Sequence, residues 1–167
     1  ALARYLAREY GCSVLATNIS DKELEWGREL THEAGLDKNV AFDWADFHAL
    51  PYEAESFSVY WSQEAFLHAA DKHKVLQEAR RVLKPGGELR FFEHVIDDGW
   101  RARVQSALAP LWKRLAGGCH LTRQTGSRLV ADRSFDVVEI NRLNLGVTPV
   151  RPFVRGRLRK RSAGPTR

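Results

Sequence analysis

The chain has 167 residues, enough for one domain with a hydrophobic core and too few for two domains of ordinary size. No stretch nears the roughly 18 consecutive apolar residues of a membrane span, and the first residues lack an apolar signal segment, so a soluble, cytoplasmic protein is expected. Two cysteines, Cys12 and Cys119, without CxxC spacing, supply neither a disulfide framework nor a zinc signature. The net charge of +5 belongs to the end of the chain: residues 151–167 hold seven Lys or Arg and no acid, which leaves residues 1–150 at −2.

Methionine is absent, position 1 included, and residues 1–10 read as a helix already under way that Gly11 stops. The expectation is a fragment of a longer reading frame. Residues 1–150 would form one domain incomplete at its N-terminus, with a last strand continuing to about 160 and a disordered basic tail over 161–167. Residues 13–19 (SVLATNI) suit a buried strand. Ser20, with Glu23 three residues on, forms a capping box for a helix over 21–34, which Gly35 ends. Residues 40–44 read as the next strand and the Leu50–Pro51 region as a loop.

Residues 57–61 (FSVYW) are aromatic and apolar on both faces, the composition of a central strand covered on both sides. From Asp71 to Leu83, Val75, Leu76, Ala79, Val82 and Leu83 fall at i, i+1, i+4, i+7 and i+8, one apolar stripe on a helix. Lys84-Pro85-Gly86-Gly87 breaks that helix, and residues 88–95 follow as a strand. Helical patterning returns at 101–115, breaks at Gly117-Gly118 and resumes near 122–131; residues 135–145 and 153–158 suit a closing antiparallel pair. Alternating helices and strands in this order make an α/β fold with parallel strands and crossover helices.

LKPGG, together with VLATNIS, WADFHALPY and SFSVYWSQEAFLH in this order and spacing, resembles class I S-adenosylmethionine-dependent methyltransferases. Residues 4–92 are similar to the glycine/sarcosine/dimethylglycine N-methyltransferase group, whereas FEHV, GGCHLTRQT and VRPFVRG resemble the C-terminal half of small thiol and lipid-associated methyltransferases. The resemblance implies a Rossmann-like, doubly wound, mostly parallel sheet with a C-terminal antiparallel pair. It also implies S-adenosylmethionine as cofactor and a small-molecule acceptor, an amine, thiol or lipid-related compound.

The residues follow from the matched motifs. Asn18, with Ile19, ends the strand whose tip would reach the ribose hydroxyls, a place where the wider family has an acid. Asp46 would accept from the adenine amino group while Phe47 packs on the ring, next to Ala45; the alternative is a turn cap and a core side chain. Trp61, Ser62 and Gln63 end the central strand on the cofactor side, where Trp61 is either pocket wall or core. Gln63, a polar amide after a buried strand, is expected to line the pocket. His68 is either a capping or surface residue or an acceptor-side group, and His94 is a second candidate for the acceptor pocket. Glu93, His94, Cys119 and His120 are metal-type residues without ligand spacing, and no metal is expected. A sulfonium methyl is already activated, so alignment and exclusion of water matter more than acid–base machinery.

Three departures from the family pattern stand out. The first strand and its glycine-rich turn, which in the family precede the helix ending at Tyr10, are missing; that strand would lie between residues 13–19 and 57–61. Those two strands are therefore expected either to keep unpaired edges or to pair with each other. Ser58 replaces the usual Asp, and Arg90 places a charge inside a strand, so its guanidinium must reach the sheet edge or an acid. A catalytically silent fragment or binding module is accordingly the second reading. The C-terminal arginines suggest at most nonspecific, salt-sensitive contact with nucleic acid, or weak attraction to an anionic membrane surface. Trp100 and Trp112 suit a lid, a lipid-facing helix or plain packing. Nothing in the sequence sets an oligomeric state.

Overall fold

A computed structural model describes residues 1–115, 134–145 and 152–162. The expected break at 117–118, the helix near 122–131 and the end of the basic tail lie outside the described residues. The chain divides into two compact units, Ala1–Pro51 and Tyr52–Arg167.

The first unit has the order α1 (Leu2–Tyr10), β1 (Val14–Asn18), α2 (Asp21–Glu33) and β2 (Val40–Trp44). Gly11 ends α1, its N–H bonded to Ala7 O at 3.1 Å. Ser20 caps α2 by accepting from Glu23 N at 3.4 Å, as the capping box predicts. The strands β1 and β2 are parallel, with Val14 opposite Val40 and Asn18 opposite Trp44. Helix α2 lies close on this pair, since a Cβ at Gly27 would stand 2.5 Å from the Phe42 ring.

The second unit runs β3 (Phe57–Gln63), a short 3-10 turn (Phe66–His68), α3 (Lys72–Val82), β4 (Leu83–His94), α4 (Gly99–Leu115), β5 (Phe135–Leu143) and β6 (Phe153–Lys160). Its sheet has the order β3-β4-β6-β5, parallel between β3 and β4 and antiparallel at both other junctions, so the expected closing pair is present. The helix α3 buries Val75, Leu76, Ala79 and Val82, the stripe read from the sequence, and the unit's core also holds Leu83, Leu89, Phe91 and Leu158. LKPGG is absorbed into the first residues of β4, with Gly86 at φ 74.

The described strands form two sheets, one within each unit. Both β1 and β3 have one strand neighbour among the described residues, the first of the two outcomes expected. The expectation that β3 is covered on both faces is corrected here. It is the edge strand of its sheet, and Val59 and Trp61 are 43% and 38% exposed. Composition marked FSVYW as a strand, but burial depends on neighbours: only Ser62 in it is fully buried. Likewise β1 is half-buried where a buried strand was expected.

Arg90 meets the requirement placed on it by reaching an acid. Its Nε and Nη2 donate to Glu88 Oε2 at 3.0 and 2.8 Å, and Arg157 and Arg159 reach Glu88 Oε1 at 2.9 and 3.3 Å. The arginines of β6 alternate along one face as expected, and they do so as ion-pair partners of Glu88 and Glu139. On the inner face, Lys160 is buried and donates to Leu83 O at 2.6 Å.

Candidate functional site

The two groups of candidate residues lie one in each unit. In the first unit, Asn18 and Ile19 leave the carboxyl end of β1, and Ala45, Asp46 and Phe47 leave the carboxyl end of β2. Two bonds join these exits: Ala45 N–H donates to Asn18 O at 3.2 Å, and Trp44 Nε1 donates to Ile19 O at 2.8 Å. Parallel strands place side chains that follow their last residues at the crevice where α/β sheets take ligands. Asn18 is exposed, its Oδ1 accepting from Ser20 N at 3.1 Å, and Ile19 is 59% exposed beside it. An exposed amide next to an exposed apolar side chain suits a ligand with hydroxyls on an apolar ring.

Asp46 is engaged locally. Its Oδ1 accepts from His48 N at 2.8 Å and stands 2.7 Å from His48 Nδ1, a turn cap. Its side chain nevertheless stays half-exposed, and the Phe47 ring lies 4.7 Å from the His48 ring. Ala45 is buried and serves the strand exit through its backbone.

In the second unit, Trp61, Ser62 and Gln63 are the last three residues of β3, and His94 is the last residue of β4. Trp61 is not core: it is exposed, and the Arg90 guanidinium lies 6.0 Å from its ring centroid. Gln63 is exposed at the strand tip, opposite Phe92 in the ladder. Ser62 is buried, and its Oγ donates to Glu93 Oε1 at 3.2 Å. His68 closes the 3-10 turn and is exposed, ahead of α3 rather than in its first turn; Asp71 is the residue that caps α3.

His94 is buried. Its N–H donates to Glu64 Oε1 at 3.0 Å, and its Nδ1 lies 3.3 Å from both Glu64 oxygens. Phe153 meets the His94 ring edge-on at 6.2 Å and stacks on Phe92 at 4.8 Å. Glu93 is fully buried, and its Oε1 accepts from Ala65 N and Phe66 N, both at 3.1 Å, as well as from Ser62. Burial pushes the Glu93 carboxyl up, against the pull of the Phe66 and Ala65 N–H groups. Burial, with Glu78 nearby, also pushes the Tyr60 phenol up.

Sequence reasoning passed over Glu64 and, except as a metal-type residue, Glu93. A lone acid inside the apolar run RFFEHV was the available signal, because a buried carboxyl must find donors. Glu64 gave none: its importance comes from a left-handed backbone, φ 53, that residue type does not announce. Cys119 and His120 lie outside the described residues, and among the described residues no three His, Cys, Asp or Glu side chains gather as a metal would require. Trp100 is 69% exposed with Arg101 5.5 Å from its ring centroid, so it is not packing, whereas Trp112 is half-buried.

Residues 1–91 match the family model described as a methyltransferase domain. A sarcosine/dimethylglycine N-methyltransferase of Halorhodospira halochloris is 40% identical over 124 residues, covering 74% of this chain and 44% of its own length. A thiol S-methyltransferase of Homo sapiens is 41% identical over 88 residues, 50% of this chain and 36% of its own. The chain thus spans less than half the length of either relative. A crystal structure from Galdieria sulphuraria, described as a sarcosine dimethylglycine methyltransferase, superposes with a TM-score of 0.75 at 22% identity, over 95% of this chain and 74% of that one. That likeness fixes the fold, Rossmann-like α/β with a mixed sheet. With a family model spanning more than half of its residues, the chain belongs to the methyltransferase-domain family.

Proposed function

We propose that the chain serves S-adenosylmethionine-dependent transfer of a methyl group to a small-molecule amine, thiol or lipid-related acceptor, as a single cytoplasmic domain. The observation that carries this reading is the joined exit of β1 and β2, with Asn18 and Ile19 at one strand end and Asp46 and Phe47 just past the other. These residues fit an adenosyl group: Asn18 offers an amide to ribose hydroxyls, Ile19 and Phe47 offer apolar surface to the purine, and Asp46 offers a carboxylate to its amino group. When bound, the cofactor supplies an activated sulfonium methyl.

Within the second unit, the ends of β3 and β4 are read as acceptor-binding. Gln63 lines the pocket at the tip of β3, with Trp61 and Ser62 on the cofactor side of the same strand end, and His94, held by Glu64 next to Phe153, is the second acceptor candidate. His68 stands at the exposed rim. With an activated donor, alignment of the nucleophile is the main demand on these groups. An acceptor that arrives protonated must also lose a proton, and His68 and His94 are the imidazoles at hand. Sarcosine, dimethylglycine and thiol acceptors of the relatives give the acceptor class its range. The arginines of β6, held in ion pairs, support no specific nucleic-acid partner, and weak membrane-surface contact is left to the basic C-terminus.

The test is a calorimetric titration of the folded chain with S-adenosylhomocysteine. Binding on the order of micromolar is expected, weakened about tenfold in Asn18→Ala by loss of one charge-free hydrogen-bonding group. A folded sample that gives no heat overturns the reading and favours the silent-module alternative.

A further inference from the structure

We propose that Glu93 is a positioning residue: from the end of β4 it fixes the turn that follows β3, and with it Gln63 and His68, without touching ligand itself. The inference rests on the reading of this strand end as the acceptor side.

The turn and the strand exchange carboxyl groups. Glu93, on β4, gathers three donors from the neighbouring strand and turn on one oxygen: Ser62 Oγ at 3.2 Å, and Ala65 and Phe66 N–H at 3.1 Å each. In return Glu64, in the turn, accepts the His94 N–H at 3.0 Å, while its own N–H donates to Phe92 O at 2.8 Å. Glu64 holds φ 53, a conformation an L residue keeps only when its surroundings dictate it. The surroundings here are these bonds. Gln63, immediately before Glu64, takes its direction from the same backbone.

A carboxyl is an expensive group to bury for stability alone, and a selective one for fixing a single backbone path. Among the described residues Glu93 Oε2 has no hydrogen-bond partner, and burial raises the carboxyl's pKa, so a neutral group fits the site. Glutamine then reproduces the acceptor oxygen at the same reach, whereas alanine or aspartate does not.

The experiment compares the 167-residue chain with Glu93→Gln and Glu93→Ala by amide hydrogen exchange and by the side-chain amide resonance of Gln63. In Glu93→Ala, exchange at Ala65 and Phe66 is expected to rise about thirtyfold, with Leu89, Phe91 and Leu158 in the sheet core unchanged. The Gln63 side-chain amide moves toward its unstructured position, and Glu93→Gln restores both readouts. Unchanged exchange at Ala65 and Phe66, equal acceleration in the sheet core, or failure of Gln to restore would each overturn the proposal. If Glu93→Ala does not fold, Glu93→Asp, one methylene shorter, is judged by the same criteria. None of these readouts needs cofactor, so they separate this inference from the functional reading, which the S-adenosylhomocysteine titration decides.

Discussion

Three guanidiniums, those of Arg157, Arg90 and Arg159, converge on the Glu88 carboxylate and hold its pKa at about 2, below its ordinary 4.5. Between those values the folded chain binds fewer protons than the unfolded one, so stability falls as pH drops from about 4.5 through 2. The guanidiniums are partly exposed, and screening reduces the contribution to roughly 1–2 kcal/mol at pH 7. Glu88→Gln is expected to lose that amount in urea unfolding at pH 7 and to flatten the acid limb. Glu93 acts with the opposite sign: its raised carboxyl favours folding at low pH and loses that advantage as pH rises through the shifted value. Residue-level reading from sequence succeeded where the signal is local, as at Ser20 with Glu23. It passed over Glu64, whose backbone angle is set by what packs around it, and left Trp61 open between pocket wall and core, which its exposure decides against core.

Helix α3 shows how much of an element is legible. Its apolar stripe and its starting acid stand in the sequence, and the structure seats Asp71 as N-cap, accepting from His73 N at 3.0 Å and Lys74 N at 3.1 Å. Asp71→Ala is expected to destabilise the chain by about 1 kcal/mol, read as a lower urea midpoint with unchanged slope. Strand boundaries were harder, since β3 runs two residues past its expected end and β4 begins within LKPGG. The β3 extension has ladder partners, Ser62 with Phe91 and Gln63 with Phe92, and the early start of β4 has Leu83 opposite Phe57 ahead of a register irregularity, which no local pattern encodes. The β4–β6 junction is tight for a similar nonlocal reason: a Cβ at Gly156 would meet the Phe91 ring at 2.2 Å.

For the whole molecule, the order of elements and the parallel pairs were legible, because each strand and helix carries its own period. The edges were legible only as a choice, since β1 and β3 were expected either to keep bare edges or to pair with each other, and β3 has one neighbour among the described residues. Charge behaves likewise. The net +5 suggests affinity for polyanions, but Arg155, Arg157, Arg159 and Arg161 engage Glu139, Glu88 and Asp136. Duplex DNA titrated at low salt is expected to bind weakly and without sequence preference, and at about 150 mM salt binding is expected to vanish; sequence-specific retention there would contradict this.

The bare edge of β3 also governs how the chain behaves in a tube. Seven residues, FSVYWSQ, present a row of backbone donors and acceptors without a strand beside them among the described residues, and Val59 and Trp61 lie exposed on the same segment. Such an edge accepts a strand from any neighbour that collides with it. Loss of soluble chain is therefore expected to rise with protein concentration, read by light scattering across a dilution series.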